Sequence, residues 1–166
     1  EKLLLDNSSF LLHSSFIRYQ GKGILFSAPC GTGKSTQADL WTLYRGSETL
    51  NGDRAGVRLC CGRWMAYGMP FAGTSGIYRN ENAPITAIVT LTQGPENVIR
   101  RLRPMEAIRR LLSECSCRRW DTEFMNQMID LLMKLVSQVP VYLLECRPDE
   151  GAVDLLYQTL QKDGLL

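Results

Sequence analysis

The chain has 166 residues, 45% of them apolar, which is enough for one domain over residues 1–166 with a single buried core. Its 19 basic and 17 acidic side chains leave a net charge of +2, too weak a field to make nucleic acid or a membrane surface the main partner. No apolar run reaches the ~18 residues of a transmembrane helix and no secretory leader pattern opens the chain, so a cytoplasmic protein is expected.

Phe10 to Tyr19 is apolar and aromatic, and Gln20-Gly21-Lys22-Gly23 turns the chain into Ile24-Leu25-Phe26-Ser27. This pattern predicts a β-hairpin. It runs straight into Ala28-Pro29-Cys30-Gly31-Thr32-Gly33-Lys34-Ser35-Thr36, which has the parts of a phosphate-binding loop. Small residues let successive backbone N–H groups curl around a phosphate, Lys34 is placed for the β- and γ-phosphates, and the Ser35 hydroxyl for Mg²⁺. Ala28 stands where the usual G-x-x-x-x-G-K-[ST] pattern has its first glycine, but Ala is the next smallest residue and Pro29 can fix the turn. Thr36 offers a second hydroxyl and reads mainly as a helix cap. A hairpin ahead of the loop predicts a mixed sheet.

Lys34 to Tyr44 is predicted to be a helix with Ala38, Leu40, Trp41 and Leu43 on one face and Gly46 as its C-terminal cap. The N-terminus of that helix would point at the phosphates, where its dipole favours an anion. Glu48-Thr49-Leu50 reads as a short strand ending at Asn51-Gly52-Asp53-Arg54. Asp53 is the candidate carboxylate for metal or proton chemistry. Asn-Gly and Gly-Asp are also ordinary turn dipeptides, and both readings stay open on position alone. Ala55 to Cys60 and Arg63 to Tyr67 form a second hairpin around Cys61-Gly62, and residues 68–84 form a long loop rich in Gly and Pro. Within that loop Arg79 is a candidate phosphate clamp. Glu81 is either a second carboxylate of the site or half of an ordinary ion pair.

Ala83 to Leu91 is predicted as a buried strand. In the last part, Pro104 suits the first position of a helix carrying Met105, Ile108, Leu111 and Leu112, and Asp121 to Gln138 repeats apolar residues at helical spacing. Pro140 to Glu145 reads as a strand and Gly151 to Lys162 as a closing helix. Seven of the fourteen arginines fall between Arg100 and Arg119, flanking apolar helix positions. That arrangement suits a solvated face, with docking of an acidic peptide or a nucleotide as the other reading. The six cysteines match neither a zinc ribbon nor a small disulfide framework and are read as reduced thiols.

Taken in order, His13, Gly21-Lys22-Gly23, the Gly31-Thr32-Gly33-Lys34-Ser35 loop, Arg45-Gly46 and Asn51-Gly52-Asp53 resemble the bacterial HPr serine kinase/phosphorylases. The catalytic domain of that family shares its fold with ATP-dependent phosphoenolpyruvate carboxykinase. The likeness covers the stretch from about His13 to Cys60, and one acidic residue, Asp53, stands where the family has two. It implies an α/β P-loop nucleotide-binding fold of this type, with a mixed sheet, an antiparallel hairpin before the loop and helices in the C-terminal half. It also implies ATP and Mg²⁺, with Lys34 and residues 28–36 on the nucleotide, Ser35 on the metal, Asp53 as the base or as a further ligand of the metal, and His13 near the transferred phosphate. The implied activity moves the γ-phosphate to a hydroxyl of a protein, a peptide or a small compound. The alternative is a nucleotide-binding regulatory protein with little turnover. Members of this family are often homo-oligomers.

Overall fold

β1 (Ser9–Tyr19) and β2 (Lys22–Ser27) form the expected antiparallel hairpin, with Ile17 opposite Ile24 and Ser14 opposite Ser27. The structure, a computed structural model, describes residues 1–166. Ile24, Leu25 and Phe26 are all fully buried, as a strand covered on both faces requires. Alternation sends Leu25 into one core with Phe16 and Ile88, and sends Ile24 and Phe26 into another with Ile17 and Val89. The sheet therefore separates two apolar layers.

A short helix α1 (Lys2–Asp6) precedes the hairpin. After it come α2 (Lys34–Arg45), β3 (Glu48–Asn51), β4 (Arg54–Cys60), β5 (Arg63–Gly68), β6 (Asn82–Gln93), β7 (Val98–Arg101), α3 (Pro104–Glu114), α4 (Thr122–Gln138), β8 (Val141–Cys146) and α5 (Glu150–Lys162). β2, β6 and β8 run parallel, and β7 lies antiparallel to β8, so the sheet is mixed. On one edge β1 pairs with β4 from Ser9 to His13 and with β3 from Phe16 to Arg18, and on its other edge it pairs with β2 from Ser14 to Tyr19. β4, β5 and β6 continue antiparallel, and β6 returns to β2, closing a ring of five strands.

Helices α2 and α5 cover one face through Ala38, Trp41, Val153, Leu156 and Leu160, while α3 and α4 cover the other through Ile108, Leu111, Phe124, Met128 and Leu132. The N-termini of α4 and α5 are capped by Asp121 and Asp149, whose carboxylates accept from Phe124 N–H at 3.0 Å and Ala152 N–H at 3.1 Å. No helix is long and apolar enough to cross a membrane.

The inward stripe of α2 differs from the expected one. Lys34, Gln37, Ala38 and Trp41 are buried, whereas Leu43 is 71% exposed. At 3.6 residues per turn Leu43 lies on the far side of the helix from Trp41, so its apolar side chain cannot share that face. Met105 is likewise exposed near the start of α3. Two elements, α1 and β7, have no counterpart in the expected set. Arg100 and Arg101 lie on the edge strand β7, and Arg118 and Arg119 lie between α3 and α4, so these four are not on helices.

All six cysteines are free thiols. Cys146, at the end of β8, is buried and accepts a bond from Gln37 Nε2 at 3.4 Å. Burial pushes its thiol up from 9.0 to about 11. The fold thus favours the protonated form, and the contribution is intact below the unfolded value and lost as pH rises through the folded one. Stability is expected to fall by about 2 kcal/mol between roughly pH 9 and 11 on this account. Urea unfolding across that range checks it, and Cys146→Ala should flatten the fall.

Candidate active site

Residues 28–33 carry the chain from the end of β2 to the first turn of α2. Gly31 and Gly33 sit at φ +79° and +109°, and a Cβ built on either would meet nothing within 4 Å. The backbone here needs glycine, and the space beside it is open. Gly33 is the N-cap of α2 and supplies no side-chain acceptor, so the first-turn N–H groups are left for another partner. Lys34 is only 6% exposed, and its Nζ donates to the carbonyls of Ala28 at 2.8 Å and Pro29 at 3.2 Å. Burial pushes its pKa below the ordinary lysine value, while the nearby carboxylates of Glu114 and Asp53 pull it back up. A cation held in the interior beside unfilled helix N–H groups is an arrangement suited to an anion.

The opposite wall is built at the middle of β1, where the partner on one edge passes from β4 to β3. His13 Nδ1 lies 2.9 Å from Glu114 Oε2, and His13 Nε2 lies 3.7 Å from Asp53 Oδ1. Arg54 stands on the other side of Asp53, its Nε 3.7 Å from Oδ2 and its Nη1 donating to Ser116 Oγ at 2.8 Å. His13, Cys30, Lys34, Ser35, Asp53 and Thr74 are among the residues lining one cleft of about 320 Å³. Thus the loop, the turn after β3 and the middle of β1 meet at one place.

Asp53 is held mainly by its backbone. Its N–H donates to Asn51 Oδ1 at 2.9 Å, and its carbonyl accepts from Ser14 N–H at 2.9 Å. Asn51 is fully buried, accepts also from Arg54 N–H at 2.7 Å, and donates to the carbonyls of Met69 at 2.7 Å and Phe71 at 3.2 Å. One amide side chain therefore ties the Asp53 turn to the loop after β5, using both its donor and its acceptor ends. Gly73 in that loop has φ +54°, and a Cβ there would come within 2.8 Å of Asp53 Cβ. Gly73→Ala is expected to displace the Asp53 carboxylate and cost about 1–3 kcal/mol from backbone strain alone. Urea unfolding of the variant checks it.

A second cleft, of about 380 Å³, lies on the far side of the loop. Gly31, Gly33, Thr36 and Gln37 form one wall, and Gln93, Gly94, Cys146 and Arg147 form the other. It opens past the carboxyl ends of the parallel strands β6 and β8, where ligands of α/β sheets usually sit. Gln93 Nε2 donates to the Gly31 carbonyl at 3.3 Å and closes the loop toward this wall.

Of the candidate residues, His13, Cys30, Gly31, Gly33, Lys34, Ser35, Thr36 and Asp53 line the first cleft, and Thr32 lines the second. Ala28 and Pro29 lie beneath, accepting from Lys34. Arg79 and Glu81 line neither cleft. Glu81 pairs with Arg18 at 2.7 Å, and Arg18 also bonds Glu48. Glu114 was not among the candidates: it lies 101 residues from His13, and no local motif marks it.

The donor set suits phosphate and Mg²⁺. No three His, Cys, Asp or Glu side chains stand close enough to cage a metal. Mg²⁺ ordinarily takes one or two protein oxygens and completes its shell with water and substrate phosphates, and the Ser35 hydroxyl and Asp53 carboxylate match that demand.

No family model and no curated protein matches the chain. Among solved structures it is similar to the HPr(Ser) kinase/phosphatase from Coxiella burnetii, with 14% sequence identity and a TM-score of 0.51 over 93% of this chain and 89% of that one. The likeness is one of fold: a mixed α/β sheet with helices in the C-terminal half, shared with a kinase/phosphatase.

Proposed function

We propose that the chain is an ATP-dependent phosphotransferase that moves the γ-phosphate of ATP to a hydroxyl, with a serine of a protein or peptide as the acceptor class. The observation that carries this reading is the meeting of Lys34, Ser35, His13 and Asp53 around one cleft of about 320 Å³. The fold likeness to a kinase/phosphatase supports it.

Phosphoryl transfer asks mainly for positioning and charge neutralisation. The N–H groups at the start of α2 and the Lys34 ammonium hold the β- and γ-phosphates, and the cleft toward Gln93 and Arg147 takes the nucleoside. Ser35 and Asp53 would hold Mg²⁺, which would supply charge neutralisation at the phosphates. Asp53 accepts the proton of the acceptor hydroxyl, whose oxygen forms the new bond to the γ-phosphorus. The bond from that phosphorus to the β–γ bridging oxygen breaks, and ADP leaves with the electron pair. His13 stands against Asp53 and orders the acceptor side of the cleft.

Calorimetric titration of ATP and ADP, with and without Mg²⁺, tests the nucleotide site, and ATP turnover with hydroxyl peptides tests the reaction. Mg²⁺-dependent ATP binding, with turnover raised by a serine peptide, is the expected result. ATP binding that ignores Mg²⁺, with no acceptor raising turnover, would replace this reading with a regulatory nucleotide-binding protein.

A further inference from the structure

The last residue of α3 reaches the proposed site through His13. Glu114 Oε2 lies 2.9 Å from His13 Nδ1, and the Glu114 side chain is only 11% exposed. The end of α3 is fastened there by main chain: Leu12 and Cys115 form a β-bridge, and Ser116 N–H donates to the Leu11 carbonyl at 3.2 Å. The backbone of Glu114 is thus held beside β1 by the residues that follow it.

An ionised carboxylate only accepts, so the nitrogen facing it must carry the proton. A neutral imidazole has one N–H, and with that proton on Nδ1 the lone pair belongs to Nε2. Nε2 faces Asp53 Oδ1 at 3.7 Å, beyond direct bonding distance, with Asp53 and His13 on the same cleft. We propose that Glu114 is a positioning residue of this site, holding His13 as the Nδ1–H tautomer so that Nε2 is turned toward Asp53 and the cleft. The catalytic consequence rests on the phosphotransferase reading, whereas the tautomer does not. Carboxylates paired in this way with metal-ligating imidazoles fix the ring's tautomer and orientation, and their loss there costs about 10- to 100-fold, which sets the scale expected at His13.

His13 is the only histidine in the chain, so its ring nitrogens give an unambiguous signal. The test is a long-range proton–nitrogen NMR spectrum of uniformly labelled protein, recorded at an alkaline pH where the ring is neutral. The proton is expected on Nδ1 in the wild type and on Nε2 in Glu114→Ala, with Glu114→Gln between them. A wild-type ring protonated on Nε2 overturns the proposal, and this arm needs no variant to fold. An unchanged tautomer in a folded Glu114→Ala overturns it as well. In turnover assays kcat of Glu114→Gln is expected to fall about 10- to 100-fold with KM for ATP unchanged. A raised KM with unchanged kcat would overturn it. Absence of turnover in the wild type would remove the phosphotransferase reading, and the NMR result would still decide the role of Glu114.

Discussion

Lys34→Met is expected to lower ATP affinity by at least about 100-fold while leaving the protein folded, because the side chain contributes charge to a bound anion and little to the stability of the empty loop. A hydrogen bond to a charged group is worth about 1.5–3 kcal/mol, so two lost phosphate contacts already account for that factor. The effect on folding has two opposed parts. Removing the ammonium leaves the carbonyls of Ala28 and Pro29 without their donor. It also removes a cation that is 6% exposed and whose charged form burial disfavours. Met keeps most of the volume of the stem. The net change should stay within about 2 kcal/mol, since relief of the cation's desolvation offsets part of the cost of leaving the two carbonyls without their donor. Calorimetry gives the affinity and urea unfolding gives the stability. ATP affinity equal to that of the wild type would remove Lys34 from the phosphate site.

The loop around Lys34 was legible because everything that defines it is contiguous: an apolar strand, small residues at 28–33, and a helix after Lys34. The β1–β2 hairpin was legible for the same local reason, a turn between two apolar runs. The closure of the sheet was not. β1 carries β4 and then β3 on one edge and β2 on the other, and nothing in residues 9–19 marks which strands lie beside it. The long-range pairing with β4, which sets His13 opposite Arg54, is what brings His13 beside Asp53. Asn51 read as a turn residue, and its use of both amide ends to join Asp53 to the loop at Met69 and Phe71 appears only when the turn and the loop are placed together. The loop at residues 68–84 carried two candidate ligands on account of their charge. Arg79 lines neither cleft, Glu81 bonds Arg18, and the loop's part near Asp53 is played by an uncharged residue, Gly73. Charge is visible in a sequence, whereas close backbone packing is visible only in the fold. Glu114 illustrates the same limit. Its neighbours read as the end of an amphipathic helix, and its partner lies on the first strand.

Asp53→Asn is the sharper test of the reaction itself. The backbone of residue 53 carries its structural bonds, the N–H to Asn51 Oδ1 at 2.9 Å and the carbonyl from Ser14 N–H at 2.9 Å. Asn matches Asp in shape and leaves both intact, so the turn should keep its place and the variant should differ chiefly in the charge and basicity of one group. An amide cannot take the proton of an acceptor hydroxyl, and a positioned base is worth about 10²–10⁴ in rate. kcat for phosphoryl transfer is therefore expected to fall by that factor. ATP affinity measured without Mg²⁺ should stay within about threefold of the wild type, because Lys34 and the N–H groups of α2 remain. In the presence of Mg²⁺ the affinity should weaken further, since on the proposed assignment a bound metal would lose its charged protein ligand and keep only Ser35. The Asp53 carboxylate also faces His13 at 3.7 Å and Arg54 at 3.7 Å, so its loss leaves one neighbouring cation without a counter-charge. That residual positive field would favour phosphate binding. An unchanged kcat would show that the proton leaves by another route and would remove Asp53 as the base. A loss of ATP affinity without Mg²⁺, comparable to that of Lys34→Met, would instead make Asp53 part of the nucleotide cradle.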